Sequence, residues 1–328
     1  MSPAPLDASL GKEQAAAPSP AIRLRALNLG DRTYASALVS FGGLLLAVAG
    51  VIVVSLAHLA QPTLSATGPV HFVLGTDWNP VSGSFGALPF IYGTLVTSAV
   101  AIVLAVPVGV GLAVFLAEMS PRALRRPVSF AVETLAGIPS VVYGLWGLFV
   151  LVPILRDPVE PFLAKYLGFL PLFRGPPIGL GFLAAGVVLA IMILPTIASV
   201  SLEVLKTVPA PLKEGALALG ATRWEAVRIA SLPFAKAGIF GAVLLGLGRA
   251  LGETMAVTMV IGNSPSIHAS LFAVGYSLPS VIANEFAEAT TKLHTGALAG
   301  LGLVLLGLAV ALNGLARLLV GRTQRKLA

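Results

Sequence analysis

The chain has 328 residues, of which 56% are hydrophobic and only 11% charged, and its formal net charge is +7. A soluble domain carries about 25% charged residues, so so little charge spread over so much apolar sequence excludes a water-facing surface and makes a bilayer the natural solvent. With no cysteine in the chain, disulfides, thiolate metal sites and cysteine nucleophiles are excluded too.

Residues 1–34 are rich in Ala, Pro and Ser, carry Arg23, Arg25 and Arg32, and are expected to form a disordered cytoplasmic tail. The first apolar run, 35–60, starts too late and is too long for a signal peptide, and predicts a retained membrane helix. Segment 61–88 holds neither Lys nor Arg and is expected to be a periplasmic loop. Further runs at 89–117, 128–155, 179–205, 236–262 and 296–320 are each long enough to cross about 30 Å of hydrocarbon. Pro107, Pro139 and Pro195 fall inside them and should kink them. The expected fold is an all-α polytopic membrane domain of six spans over 35–60 and 89–320, with a cytoplasmic tail at 321–328.

Charge fixes the orientation. Arg122, Arg125 and Arg126, then Lys206, Lys213, Arg223 and Arg228, then Arg317, Arg322, Arg325 and Lys326 occupy alternate connections, whereas 263–295 holds only Lys292. Loop 156–178 is ambiguous, with Arg156, Lys165 and Arg174 against Asp157 and Glu160. The positive-inside rule places both termini in the cytoplasm of a cell inner membrane. That rule also accounts for the net charge without nucleic acid. The four histidines, His58, His71, His268 and His294, have no ligand-like i, i+4 partners, so no metal site is expected.

The basic segment 206–235 is more than a connector. Pro211 is placed to open a helix with Glu214 in its first turn. Leu212, Ala216 and Leu219 can share an apolar face, and Gly220 suits a left-handed helix end. Thr222-Arg-Trp-Glu225 matches a capping box, which starts a second helix at Arg223, and Pro233 marks its bend or its entry into the bilayer. Two readings fit: an amphipathic link on the membrane surface, or an element that docks on another protein.

In LLGLGRALGETMAV, Arg249 and Glu253 fall near the bilayer midplane, where each charge costs about 2.5–3.5 kcal/mol. Four residues apart on a continuous helix, they share a face and can pair with each other. One reading is a self-neutralising pair that only fixes packing. The other is an anion path, since a guanidinium matches two oxygens of a tetrahedral oxyanion and Glu253 can compete for it and permit release. Ser140, just after Pro139, offers a hydroxyl either to that path or to a freed carbonyl. Glu133 reads as structural, Thr254 and Thr258 as bonded to backbone, and Gly296 with Gly300 as a weak cue for close packing.

The spacing of Glu214-Gly215-Ala216, Gly220 and Leu232-Pro233 resembles the EAA loop of bacterial ABC importer permeases, with Gly215 and Ala230 departing from the usual Ala and Ile. Trp78-Asn-Pro80, Phe85-Gly-Ala-Leu88, Gly93-Thr-Leu-Val-Thr-Ser98, Ile138-Pro-Ser-Val-Val-Tyr-Gly144 and Arg249-Ala-Leu-Gly-Glu-Thr-Met-Ala-Val257 extend the likeness, over about 75–320, to the phosphate-specific permease family. This resemblance implies a type I (MetI-like) fold. It implies that 206–235 seats in a cleft of an ATPase subunit through Glu214, Gly215, Ala216, Gly220, Leu232 and Pro233. It implies a path for inorganic phosphate past Arg249, Glu253 and Ser140. It also implies partners: a second, similar permease, two ATPase subunits, and a periplasmic or lipid-anchored phosphate-binding protein.

There is no G-x-x-x-x-G-K-[ST], since Gly11-Lys12 is followed by Glu13, so a bound nucleotide or other cofactor is not expected and ATP hydrolysis falls to another subunit. Neither G-x-S-x-G nor H-E-x-x-H occurs, which argues against an intramembrane enzyme. The rivals are a permease for another oxyanion, a membrane scaffold or sensor of phosphate status, and a transporter or channel without an ATPase.

Overall fold

The computed structural model describes residues 27–325. The chain falls into two compact units, Met1–Val54 and Ser55–Ala328. The described part of the first unit is the opening stretch of one apolar helix, α1 (Leu27–Thr67). Residues 1–26 of the expected tail lie outside the described residues. From Leu27 the chain is helical, so the first span exceeds the expected 35–60 at both ends. Adding residues to a helix that an apolar run has already nucleated costs little.

The second unit continues with α2 (Pro69–Leu74), an antiparallel pair β1 (Trp78–Asn79) and β2 (Ser84–Phe85), and α3 (Leu88–Val114), which ends in a widened π turn, Phe115–Met119. Then come α4 (Arg122–Ala136) and α5 (Ser140–Trp146), the latter running on through α6 (Val152–Ile154) into α7 (Glu160–Leu167). After these follow α8 (Phe182–Lys206), α9 (Ala210–Ala218), α10 (Arg223–Ala226), α11 (Leu232–Leu251), α12 (Met255–Val260), α13 (Leu278–Glu285) and α14 (Lys292–Arg325). In the short β pair Trp78 faces Phe85 and Asn79 faces Ser84. Among the described residues, six helical stretches are long and apolar enough to cross a membrane: Thr33–Thr67, Leu88–Met119, Ser140–Leu167, Phe182–Lys206, Arg223–Leu251 and Lys292–Leu318.

Two expected spans are corrected. No continuous helix covers 128–155, because α4 ends at Ala136 and the chain turns through Gly137–Pro139 before α5 begins. Pro139 lacks an N–H and drives Ile138 out of the helical region, so it ends the helix rather than kinking it. The expected span 236–262 is likewise broken, since α11 stops at Leu251 and α12 starts only at Met255.

Lipid tails are as apolar as Leu, so close packing rather than hydrophobic transfer holds such helices together. Helices α3 and α8 run parallel, with Gly109 against Ile197 and Gly186 against Val100. A Cβ on Gly186 would collide with the Val100 side chain, so the contact depends on that glycine. Helix α11 crosses them antiparallel, with Gly246 against Ile197 and Gly238 against Val204. Helix α5 lies on α12, with Gly144 against Ala256 and Met259 and Gly147 against Val260.

The segment from Gly262 to Ser277 is not helical, and its carbonyls take up the start of α8. Gly181 N–H donates to Val260 O at 3.0 Å, Phe182 N–H to Ala273 O at 3.1 Å and Leu183 N–H to Leu271 O at 2.8 Å. Three of the four orphan donors at the start of α8 thus find acceptors on the end of α12 and the irregular segment.

At this end of the bundle Phe72, Phe85, Phe90, Tyr276, Leu298 and Leu301 form a second core. Trp78 Nε1 donates to Glu285 Oε2 at 2.9 Å, and the same oxygen lies 2.9 Å from His294 Nε2. Gly296 and Gly300 do mark close packing, the first against Thr63 and the second against Phe72.

Candidate functional site

The break between α11 and α12 gathers the intramembrane charges. Arg249 sits in the last turn of α11, where a cation suits the carbonyl end of the helix. Its Nη1 donates to Thr196 Oγ1 at 3.4 Å. Thr196 follows Pro195 near the middle of α8, so the guanidinium lies beside the middle of that helix. Tyr143 on α5 donates its hydroxyl to Leu135 O at the end of α4 at 2.7 Å.

Glu253 lies beyond the helix end and does not pair with Arg249. The ion pairs among the described residues are Arg156–Asp157, Lys206–Glu203, Lys213–Glu118 and His294–Glu285. Glu253 Oε1 instead accepts from Ala256 N–H, at 3.4 Å, in the first turn of α12. The expectation that the two charges share one helical face fails because the helix stops between them. The structure therefore sets Arg249 and Glu253 on the two sides of a gap in the helix, and shows no hydrogen bond between either of them and Ser140, the first residue of α5. Glu133 is exposed on α4. Thr258 Oγ1 donates to Thr254 O at 2.8 Å, the backbone role expected of it.

A polar patch beyond this site escaped the sequence reading. Thr258 Oγ1 and Ser280 Oγ are 2.8 Å apart, Ser280 Oγ donates to Asn263 Oδ1 at 3.2 Å, and Asn263 adopts φ 51°. A Gly-Asn pair at 262–263, after a run of apolar residues, was the available signal for a left-handed turn there. Further out, a cavity of about 640 Å³ is lined by Asn263, Tyr276, Asn284, Glu285, Glu288 and His294, among others. Burial pushes the Tyr276 hydroxyl above its ordinary phenolic range, so it faces this cavity as a neutral donor and acceptor.

The basic end carries the second functional element. Helix α9 begins at Ala210, one residue before Pro211, which moves Glu214 out of the first turn. Gly220 takes φ +88°. Its N–H donates to Leu217 O at 3.0 Å and that of Ala221 to Ala216 O at 3.2 Å, which is a Schellman end. The capping box is present: Thr222 Oγ1 accepts from Glu225 N–H at 3.3 Å and Thr222 N–H donates to Glu225 Oε2 at 2.7 Å.

The second helix continues past Pro233. It passes through a π turn, Val227–Ser231, straight into α11. The wide turn accommodates the N–H that Pro233 lacks. Of the expected apolar face only Ala216 is buried, while Leu212 is 47% and Leu219 91% exposed. Gly215 has open space beside it. Leu232, in contrast, packs into the core with Leu116 and Leu205.

Six spans, a charged helix break beside the middle of α8 and an outward-facing helical pair at the basic end describe a multi-pass membrane transport component. The chain belongs to the family of binding-protein-dependent transport system inner membrane components, which it matches over residues 109–325. A phosphate transport system permease protein PstC of Mesorhizobium japonicum is 48% identical over 283 residues, covering 85% of this chain and 86% of the relative. Its namesake in Xylella fastidiosa is 52% identical over 261 residues, covering 78% of this chain and 80% of the relative. The crystal structure of a bacterial ABC transporter involved in the import of the acidic polysaccharide alginate matches with a TM-score of 0.50 at 18% identity, covering 87% of this chain and 98% of that one. The fold is accordingly that of type I ABC importer permeases, in a multi-pass inner-membrane protein.

Proposed function

We propose that this chain is a permease subunit of an ATP-driven importer of inorganic phosphate, and that phosphate passes the α11–α12 break. The observation that carries the reading is Arg249 beside the middle of α8, hydrogen-bonded to Thr196 and at a helix end rather than against a carboxylate. A guanidinium that is held but not neutralised retains donors for an oxyanion. Glu253, one turn on and engaged only with a backbone N–H, limits how tightly the anion is held. Ser140, at the start of α5, supplies a neutral hydroxyl. The names of the relatives specify phosphate.

In this reading both termini and the 206–235 element face the cytoplasm. An ATPase subunit seats on Glu214, Gly215, Ala216 and Gly220, and the exposure of Leu212, Leu217 and Leu219 supports such a seat. Leu232 and Pro233 carry its movement into α11. A second permease completes the path, two ATPase subunits supply the work, and a periplasmic or lipid-anchored binding protein delivers phosphate to the opposite face. Closure of the ATPases tilts the spans, a transition between two states of a rigid element.

The test is Arg249→Ala in the complete complex, reconstituted in proteoliposomes. The subunits should still co-elute while ATP-driven phosphate uptake is abolished. Uptake at the wild-type rate would remove Arg249 from the path.

A further inference from the structure

Glu118 is a carboxylate that neither the phosphate path nor the docking surface uses. It lies in the π turn that ends α3, with its side chain 12% exposed. One of its oxygens, Oε1, is 2.6 Å from Lys213 Nζ on α9 and accepts from Ser231 Oγ, which is buried, at 3.0 Å. Ser231 ends the π turn that leads into α11. A single oxygen atom thus joins the docking helix to the ends of two spans. Beneath it Val114, Leu116, Leu205, Val227 and Ala235 form one apolar cluster, so the three elements meet on a packed base.

We propose that Glu118 is a positioning residue for transport, which transmits displacement of α9 to α3 and α11 through Lys213 and Ser231. The inference rests on the docking reading of the 206–235 element.

Three features favour transmission over a passive brace. The pair is shielded enough from solvent to resist screening, unlike the exposed pair Lys206–Glu203. Glu118 and Ser231 both lie in π turns, which recur where helices must adapt. Pro233, two residues beyond Ser231, removes a backbone hydrogen bond there and softens that same turn. A charged contact across soft turns moves the span ends together, whereas apolar packing alone would let them slip.

The experiment uses the full complex in proteoliposomes and measures phosphate moved per ATP hydrolysed, co-elution of the ATPase subunit, and Tm. Glu118→Gln keeps the shape and an acceptor for Ser231 but removes the charge. It should retain ATPase co-elution, hydrolysis and Tm, while phosphate moved per ATP falls about five- to tenfold, the size of a typical coupling. Lys213→Met, the second variant, should lower the same ratio. The exchanged pair Glu118→Lys with Lys213→Glu should recover most of it.

An unchanged ratio in both single variants overturns the proposal. So does a parallel fall in uptake, hydrolysis and Tm, which marks a brace. Failure of the docking reading shows itself separately, through Leu219→Asp on the exposed tip: if that variant still binds the ATPase subunit normally, the docking surface is wrong whatever Glu118 does.

Discussion

The chain between Ala210 and Val260 is interrupted twice, once at Gly220 and once at Gly252, and the two interruptions are built in opposite ways. At Gly220 local backbone and side-chain bonds close both helix ends: a Schellman end on α9 and a capping box on α10. At Gly252 the helix ends with φ −94° and ψ 0°, a conformation open to any residue. Side chains flanking it reach outward, with Arg249 on Thr196 of α8 and Glu253 on the first turn of α12. The first break is a rigid corner, suited to passing on a push. The second is held by tertiary contacts and can rearrange when those contacts change.

The largest expected effect that separates them is Gly220→Ala. No heavy atom lies within 4 Å of a Cβ there, so the cost is purely that of the left-handed conformation, about 1–2 kcal/mol. The corner should loosen and ATPase co-elution weaken, with the phosphate path itself untouched. Binding of the isolated ATPase subunit to the reconstituted permease checks this, and undiminished binding would show that the corner need not be rigid.

Gly252→Ala should act in the other direction. The nearest atom to its Cβ is Gly248 O at 3.8 Å, so alanine fits and favours a continuous helix by about 1 kcal/mol. Tm should rise slightly while uptake falls by about fivefold, the equivalent of that energy. Higher stability with full uptake would mean that the break is not needed for passage.

The same contrast explains what was legible in the sequence. Turn chemistry is local, so Pro211, Gly220 and the Thr222–Glu225 box could be read directly, and the apolar runs gave the number of spans. The α11–α12 break was not legible because Gly246, Gly248 and Gly252 look alike on paper. Only packing tells them apart: Gly246 sits inside the helix against Ile197, and Gly144 of α5 holds α12 in place through Ala256 and Met259. Pro139 was read as a kink because a lone proline in an apolar run usually is one. With Gly137 two residues earlier, helix formation loses at both positions. Glu118 drew no attention because an acid beside a polar connection needs no partner to be explained. Its link to Lys213 spans a sequence distance that no periodicity reports.

The smallest expected effect tests how far the corner depends on its second half. Thr222→Ala removes the oxygen that accepts Glu225 N–H and the hydroxyl that donates to Glu225 Oε2 at 2.8 Å. Loss of such a cap costs about 0.5–2 kcal/mol. The backbone N–H of residue 222 still reaches Glu225 Oε2, and α10 runs without interruption into α11, so the loss belongs at the low end of that range. Amide exchange at 223–226 should accelerate severalfold, while Tm and ATPase binding change little. If exchange there is unaltered, the helix start is held by the Schellman end and by docking of α9 on the turn below, and the capping box is redundant. If ATPase binding falls as far as in Gly220→Ala, the two halves of the corner act as one unit, and the displacement that reaches Ser231 starts at α10 as much as at α9.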